Sequence, residues 1–370
     1  MKKLLIVVLL LITGCVESDQ PSLPATPDYP KIASWLSQKD HLLTSRNPYD
    51  LIMTGWVTPE EAEQFREMNP RVTILAGLTV NWIYDNPDWR TFLETLASAD
   101  GIQRTIEEDM FLHTSDGRCA FGWASDQWGH QEIYAMDPRN QTWVELVLAA
   151  YETILEQPQH DGVIVDMLID VSWCSDIISD EAWVAGIQAI LAEIKSMADA
   201  HDKLIIFNAG SNFSDIDPYA QYMDGYLMEN FLGEWGADYE TGLRAAQKEY
   251  LIIYAVDTDD TGDYDLQRMR LGLTLSLLND TSYFSYDFGP RNHGQAWWFP
   301  EYDVQLGNAL GPYYKKDNAY WREFEKGIVI SSPFTSITVT FDTEYIDVTT
   351  GITSTNFTIE KGDGRIFINS

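Results

Sequence analysis

Asp161-Gly162-Val163-Ile164-Val165-Asp166 is a turn and a short apolar run that ends on a carboxylate, and Asp224-Gly225-Tyr226-Leu227-Met228-Glu229 repeats the pattern later in the chain. Runs of about four to eight apolar residues between turn signals are typical of parallel strands buried on both faces. Each acid would then lie where a strand leaves the core. The two segments predict an α/β fold with a pair of carboxylates at strand ends.

Strand and helix patterns alternate around these segments, as in a βα series. The expected strands are residues 50–54, 72–78, 133–136, 163–166, 204–208, 226–229, 251–256 and 283–286. The expected helices are residues 59–68, 88–106, 141–155, 180–200, 238–249 and 264–279. Eight strands with right-handed helical crossovers predict a (β/α)8 TIM barrel.

Two regions depart from the alternation. Residues 107–128, rich in Gly, Trp and Asp, are expected to form a long loop at the mouth of the barrel. After residue 312 the chain has short Thr- and Ile-rich runs at 327–331, 337–341, 345–348, 356–359 and 365–368. We therefore expect the barrel over 31–312 and a small C-terminal antiparallel β domain over 313–370.

The N-terminus has the features of a signal peptide. Lys2 and Lys3 precede the apolar run 4–12, which is too short to span a bilayer, and Thr13-Gly14-Cys15 follows. This end resembles a prokaryotic lipobox, which implies acylation of Cys15. We expect a lipoprotein signal peptide over 1–14, a flexible Pro-rich tether over 15–30, and an extracytoplasmic protein attached to a lipid bilayer by this anchor alone. An ordinary secreted protein is the alternative.

The chain is strongly acidic, with 57 Asp and Glu against 24 Lys and Arg and a net charge of −33. Such a surface repels nucleic acids and anionic membranes, so no nucleic-acid partner is expected, and neutral or cationic substrates remain. A salt-rich habitat would also explain the charge. Beyond Cys15 only Cys119 and Cys174 occur, and an oxidising compartment allows one disulfide between them or two free thiols.

The candidate chemistry lies at the carboxyl ends of the barrel strands, where TIM-barrel sites are found. Glycoside hydrolysis uses two carboxyl groups about 5 to 9.5 Å apart. Asp166 on strand four and Glu229 on strand six fit this spacing, with Asp166 as nucleophile or charge stabiliser. Glu229 is assigned as the general acid because its apolar neighbours predict a raised pKa. Either acid would instead be structural if it capped a helix or paired with an arginine, and Asp170 competes for the role of Asp166.

Aromatic and polar side chains at the mouth are candidates for sugar binding. Planar indoles suit the apolar faces of sugar rings, and the candidates are Trp56, Trp82, Trp173 and Trp235. Polar groups that would orient hydroxyls are Asn208, Asp257, Tyr286 and Asp287. Ordinary packing and rim residues are the alternative for both sets.

The two echoed segments, Met136-Asp137-Pro138 before a helix and residues 321–330 together resemble the family of hypothetical glycosyl hydrolases called family 15-like. The resemblance runs from about Tyr49 to the end of the chain. It implies a TIM-barrel glycoside hydrolase, and a likeness to retaining barrel hydrolases with a strand-four nucleophile implies the order of roles given above. The family pattern continues its last motif with Asn-Pro, whereas Ser331-Ser332-Pro333 stands here.

The sequence contains no recognised motif for a metal or a cofactor. The six histidines are scattered, and there is no zinc, phosphate-loop or nucleophile-elbow pattern. Residues 257–265 imitate a calcium loop, but Arg268 stands where the bidentate Glu belongs. We expect a solvated acidic loop here, with no cofactor and no metal, and loose Ca²⁺ binding in a salty medium is the alternative.

Two functions from different classes remain. The first is a surface-anchored glycoside hydrolase that cleaves an extracellular or envelope polysaccharide or oligosaccharide. The second is a non-catalytic carbohydrate-binding lipoprotein on a degenerate barrel. A carboxylate separation well above 10 Å, or an arginine bonded to either acid, would favour the second. A purely structural envelope protein would require a mouth filled by side chains.

Overall fold

The computed structural model describes residues 29–121, 132–208, 210, 213–248, 250–293 and 295–370. Its centre is an eight-stranded parallel sheet in which neighbours follow chain order. With strands numbered along the chain, its members are β1 (Ala33–Trp35), β2 (Leu51–Met53), β3 (Thr73–Thr79), β9 (Gly162–Asp166), β10 (Leu204–Asn208), β11 (Gly225–Met228), β12 (Leu251–Asp257) and β13 (Ser282–Asp287). A parallel bridge between Ile32 and Phe284 joins the two ends of the sheet. The predicted TIM barrel is confirmed.

Helices follow the strands and cover the barrel. They are α1 (Lys39–Ser45), α2 (Pro59–Met68), α3 (Pro87–Ala97), α4 (Gln141–Leu155), α5 (Asp180–Ala200), α6 (Tyr239–Ala245) and α7 (Leu266–Ser276). Short 3-10 helices occur at Glu108–Met110, Phe213–Tyr222 and Pro300–Tyr302. Local sequence sets their starts: Thr58 and Glu61 form a capping box at α2, with Pro59 in the first turn.

The prediction for the first three barrel strands was partly wrong. Ile133–Ala135 (β8) was expected as the third barrel strand but pairs with β4 (Trp82–Tyr84) and β7 (Ala120–Phe121) in a separate small sheet. The first barrel strand is β1, whose sequence Ala33-Ser34-Trp35 lacks the continuous apolar run that marks the equally short β2. The prediction missed one barrel strand before β2 and added one after β3. The two errors cancel in the numbering, so β9 is still the fourth barrel strand and β11 the sixth.

The segment between β3 and β9 is an excursion from the barrel. It contains α3, α4, β4, β7, β8 and the hairpin of β5 (His113–Thr114) with β6 (Gly117–Arg118), so the described part of the predicted mouth loop is folded. Meanwhile β3 pairs directly with β9, from Leu75 opposite Gly162 to Thr79 opposite Asp166. A disulfide joins Cys119 of the excursion to Cys174 in the loop after β9. The barrel ladder is therefore complete without the excursion.

A second, antiparallel sheet follows the barrel. Its strands are β14 (Tyr314–Lys316), β15 (Ala319–Phe324), β16 (Gly327–Ser332), β17 (Ile337–Asp347), β18 (Thr353–Ile359) and β19 (Asp363–Asn369). The two strands predicted within 337–348 are one strand, β17. The sheet packs on α7, where Arg270 donates to Asp363 over 2.8 Å. A Cβ at Gly364 would lie 2.0 Å from the Thr274 hydroxyl, so this close approach requires glycine.

The anchoring predictions fall on residues outside the described part. The signal peptide, Cys15 and nearly all of the tether lie in residues 1–28. None of the helices in the described residues has both the length and the apolar character that a membrane span requires.

We expect loss of the disulfide to destabilise the fold. The bond closes a loop of 55 residues, so the double substitution Cys119→Ser, Cys174→Ser should cost about 2 to 4 kcal/mol, seen as a lower Tm in thermal unfolding. Dithiothreitol should lower the Tm of the wild type to the same value and leave the double variant unchanged. An unchanged Tm in both tests would mean that the bond does not constrain the chain.

Candidate active site

The ends of three neighbouring strands place Asp166, Asn208 and Glu229 together. Asp166 ends β9, Asn208 ends β10 and Glu229 directly follows β11. The Asn208 amide nitrogen donates to Asp166 Oδ1 over 2.8 Å and to Glu229 Oε2 over 3.0 Å. Those two oxygens can therefore be at most about 5.8 Å apart, the sum of the two distances. One amide bridges both predicted acids.

The backbone turns sharply just after each acid. Met167 has a φ of 55° and Asn230 a φ of 47°, the left-handed region that few non-glycine residues adopt. Such residues cost about 1 to 3 kcal/mol each and persist only where the surrounding structure holds them. The Met167 N–H donates to Asp166 Oδ1 over 2.9 Å, so the first turn also fixes its own acid.

The second turn is held from β12. The Asn230 side chain donates to both oxygens of Asp257, over 2.8 and 2.9 Å, and the Phe231 N–H donates to Ala255 O. A Cβ at Gly236 would lie 1.6 Å from Asn230 O, so only glycine fits there. Asp257 is 2% exposed. The prediction that Asp257 contacts sugar hydroxyls is therefore corrected: its carboxylate supports the loop that begins after Glu229.

A histidine that the sequence analysis missed completes the site. His293 is buried, with Nε2 3.3 Å from Glu229 Oε1 and Nδ1 2.7 Å from Asp287 Oδ2. Trp35 Nε1 donates to the same Glu229 oxygen over 3.4 Å. Asp287 is 4% exposed and faces His293, so its predicted role as a hydroxyl binder is also corrected. The only available signal was a histidine six residues after a strand-end acid.

The electrostatics of the two acids differ. Burial and the negative charge of Glu229 raise the pKa of Asp166 to about 6. Burial would raise the pKa of Glu229 as well, but the hydrogen bond and charge of His293, with the Asn208 and Trp35 donors, hold it below its usual value. Burial opposes the charge on His293, yet Asp287 and Glu229 raise its pKa to about 10. The expectation of a raised pKa at Glu229 was wrong, because a partner distant in sequence outweighs the apolar neighbours.

A cavity of about 380 Å³ leads to Asp166 from the β1–β3 side of the mouth. Trp35 and Thr79 of the barrel and Tyr84, Asn86 and Trp89 of the excursion line it. The mouth is thus open next to one of the two acids, with aromatic and hydroxyl groups on its walls.

The predicted sugar-binding aromatics differ in exposure. Trp173 and Trp235 are 49% and 46% exposed, as a platform for a sugar ring requires. Trp82 is 1% exposed and lies against Trp173, so its predicted direct contact with sugar is corrected to a supporting one. Trp56 is half-buried against His160.

The remaining polar candidates lie off the mouth or in other networks. Tyr286 is buried, its hydroxyl accepts from the Asp265 N–H over 2.9 Å and its ring packs on Trp297. Its predicted role in orienting sugar hydroxyls is therefore corrected.

In the acidic segment 257–265, Arg268 pairs with Asp259 and donates to Asp257 O. No cluster of three or more His, Cys, Asp or Glu suited to a metal occurs among the described residues.

The profile of hypothetical glycosyl hydrolase family 15 matches residues 66–328, more than half of the chain. The chain belongs to this family. Its membership confirms the resemblance seen in the motifs and supports a glycoside hydrolase-like function. No curated protein matches the chain in sequence.

Solved structures of an α-amylase and an α-galactosidase share the barrel fold. An α-amylase from Malbranchea cinnamomea is similar with a TM-score of 0.51 and 12% identity, over 94% of this chain and 92% of that one. The GH36 α-galactosidase AgaA from Geobacillus stearothermophilus, with bound 1-deoxygalactonojirimycin, gives 0.50 and 10% over 93% of this chain. Ega3 from Aspergillus fumigatus, in complex with galactosamine, gives 0.47 and 11% over 75% of this chain and 98% of that one. The chain spans 56% of the length of the α-galactosidase.

We expect Asp166→Asn to stabilise the protein at neutral pH. Because the folded state raises the pKa of Asp166 to about 6, the unfolded state loses this proton first as pH rises, and the folded state is penalised above about pH 6. The substitution should therefore raise the free energy of unfolding by about 1 to 2 kcal/mol at pH 7 and by much less at pH 4, measured by urea titration. Asp342→Asn, at an exposed position of β17, is the control. A gain that is equal at both pH values would contradict the linkage.

Proposed function

We propose that the protein hydrolyses glycosidic bonds of an extracellular or envelope polysaccharide, with Asp166 as nucleophile and Glu229 as general acid and base. The observation that carries this proposal is the Asn208 amide, which holds one oxygen of each acid within about 5.8 Å of the other. Family membership and the shared barrel agree with a glycosidase.

The short separation favours retention of configuration. Retaining enzymes have carboxyl groups about 5 to 5.5 Å apart, whereas inverting enzymes leave about 6.5 to 9.5 Å for a water molecule. An upper limit of about 5.8 Å for one pair of oxygens fits the first arrangement. Asp166 would then form a covalent glycosyl intermediate, which requires its ionised form and hence a pH above about 6.

The substrate class follows from charge and shape. A net charge of −33 disfavours polyanionic glycans and leaves neutral or amino-sugar polymers. The cavity beside Asp166 and the exposed rings of Trp173 and Trp235 offer surfaces for several sugar units.

The carbohydrate-binding alternative is less well supported. It would be favoured by distant carboxylates or an arginine bound to one of them. The separation is short, and within the described part of the chain the ion pairs of these two acids involve only His293. The cavity at Asp166 also disfavours a purely structural protein with a filled mouth.

We expect the wild type to cleave at least one member of a panel of neutral glucans and galactans and de-N-acetylated glucosamine and galactosamine polymers, assayed by reducing ends at two salt concentrations. Asp166→Asn and Glu229→Gln should each lower kcat by about 10²-fold or more, because nucleophile and acid are both needed for unactivated leaving groups. Asp342→Asn should retain activity. Sugar binding that survives in all variants without cleavage by the wild type would support the alternative.

The two roles can be separated in the same assay. Azide should rescue Asp166→Gly and Glu229→Ala with an activated aryl glycoside, giving a glycosyl azide of inverted configuration in the first and retained configuration in the second. The opposite pairing would exchange the roles, as the raised pKa of Asp166 in the free protein would suggest.

We also propose that the protein acts outside the cytoplasm, attached through an acylated Cys15. The Cys119–Cys174 disulfide supports an oxidising compartment. In bacteria that express the full chain, Cys15→Ser should move the protein from the membrane fraction to the soluble or secreted fraction, detected by immunoblot. Cys119→Ser, which leaves Cys15 in place, is the control, and equal membrane association of both variants would contradict the anchor.

A further inference from the structure

His293 links the site to an acid that no substrate needs to touch. It follows β13, is 3% exposed, and lies between Asp287 and Glu229, with its ring against the edge of Trp35. The short 2.7 Å contact belongs to Asp287 and the longer 3.3 Å contact to Glu229. His293, Asp287 and Glu229 thus form a buried or nearly buried network, unlike an ion pair on the protein surface.

We propose that His293, oriented by Asp287, is the positioning residue that stores the proton of Glu229 between turnovers and returns it for acid catalysis. The proposal rests on the proposed hydrolase function and adds to it the source of the catalytic proton.

The contacts determine which nitrogen exchanges the proton. Nδ1 faces the Asp287 carboxylate, which accepts hydrogen bonds only, so Nδ1 keeps its hydrogen in both charge states. Nε2 either donates to ionised Glu229 or accepts from its protonated form. The pair of Nε2 and Glu229 Oε1 therefore shares one proton, and its position can shift along a single contact.

The reaction balances with this single proton. The resting pair keeps the proton on Nε2, so the transfer to Glu229 Oε1 takes place only as the leaving oxygen develops negative charge, and it leaves neutral imidazole on His293. An Asp166 carboxylate oxygen donates an electron pair to the anomeric carbon while the glycosidic C–O bond breaks; its electron pair leaves on oxygen, which takes the Glu229 proton. In the second half, Glu229 removes a proton from water, the water oxygen bonds to the anomeric carbon and the bond to Asp166 breaks. The proton on Glu229 then returns to His293.

The charges that face His293 are consistent with this storage. Asp287 of β13 and Glu229 after β11 contact it directly, Asp166 of β9 interacts with it by charge, and Trp35 of β1 carries no titrating group. Asp257 of β12 stands opposite Asp287 in the sheet. With the pKa of Asp166 about 6 and that of His293 about 10, the neutral-pH protein has an ionised nucleophile and one stored proton.

The first test needs no substrate. In protein labelled with ¹⁵N-histidine, the nitrogen shifts of His293 should report imidazolium up to at least pH 9, and Glu229→Gln and Asp287→Asn should each lower its pKa by at least one unit. His201→Gln, an exposed residue at the end of α5, should remove another histidine signal and leave that of His293 unchanged. A His293 that is neutral at pH 8 in the wild type would overturn the proposal, whether or not the protein is a hydrolase.

The second test separates a proton role from a packing role. Once a cleaved sugar is identified, His293→Gln should lower kcat on an unactivated oligosaccharide of that sugar by 10- to 100-fold, with KM little changed. On the 2,4-dinitrophenyl glycoside of the same sugar, kcat should fall less than threefold. The alkaline limb of the pH profile should move to lower pH. Imidazole in the buffer should partly restore His293→Gly. Equal losses on both substrates, with the alkaline limb unmoved and no rescue, would overturn it. Absence of cleavage by the wild type would instead remove the hydrolase function and leave the NMR result to decide the proton pair.

Discussion

Two negative charges held close together in a partly buried mouth are the constraint on which the site depends. Carboxylates at this separation repel each other, and burial strengthens the repulsion. The Asn208 amide offsets it with one neutral donor shared by both acids, and His293 offsets it with a positive charge on one side only. This asymmetry makes the two acids different although both end short strands of the same barrel.

Most of the barrel that holds these two acids was predictable from local sequence. Seven of the eight barrel strands were predicted, because β2, β3 and β9 to β13 have buried apolar runs between turn signals, and α2, α4 and α5 were predicted with their observed bounds. β1 was missed because Ala33-Ser34-Trp35 is not a continuous apolar run, whereas the equally short β2 is one, and β8 was misplaced because an apolar run does not tell which sheet it joins. Periodicity thus predicts that a strand exists more readily than it predicts the partner of that strand.

The site was predictable where it follows strand ends and unpredictable where it depends on returning loops. Asp166, Asn208 and Glu229 lie at the ends of consecutive strands, so topology alone brings them together. His293 reaches the site through a loop whose path no local pattern specifies. Residues beside Glu229 in sequence suggested an apolar setting, but its electrostatic partner comes from beyond β13. For the same reason, the buried contacts of Asp257, Tyr286 and Asp287 were not evident from their positions at strand ends.

The excursion between β3 and β9 contributes Tyr84, Asn86 and Trp89 to the cavity wall, yet no hydrogen bond of the barrel ladder passes through it, since β3 pairs with β9 directly. One wall of the cavity is thus built by a segment that the barrel ladder does not need, whereas the two acids, their amide bridge and the histidine lie at or beyond the ends of β9, β10, β11 and β13. Within the excursion, α4 is tied to the barrel, because the Tyr151 hydroxyl donates to Leu78 O. The part of the excursion before α4 can therefore change in length and sequence at little cost to the carboxylates, so the shape of the cavity and the placement of the acids are physically separable.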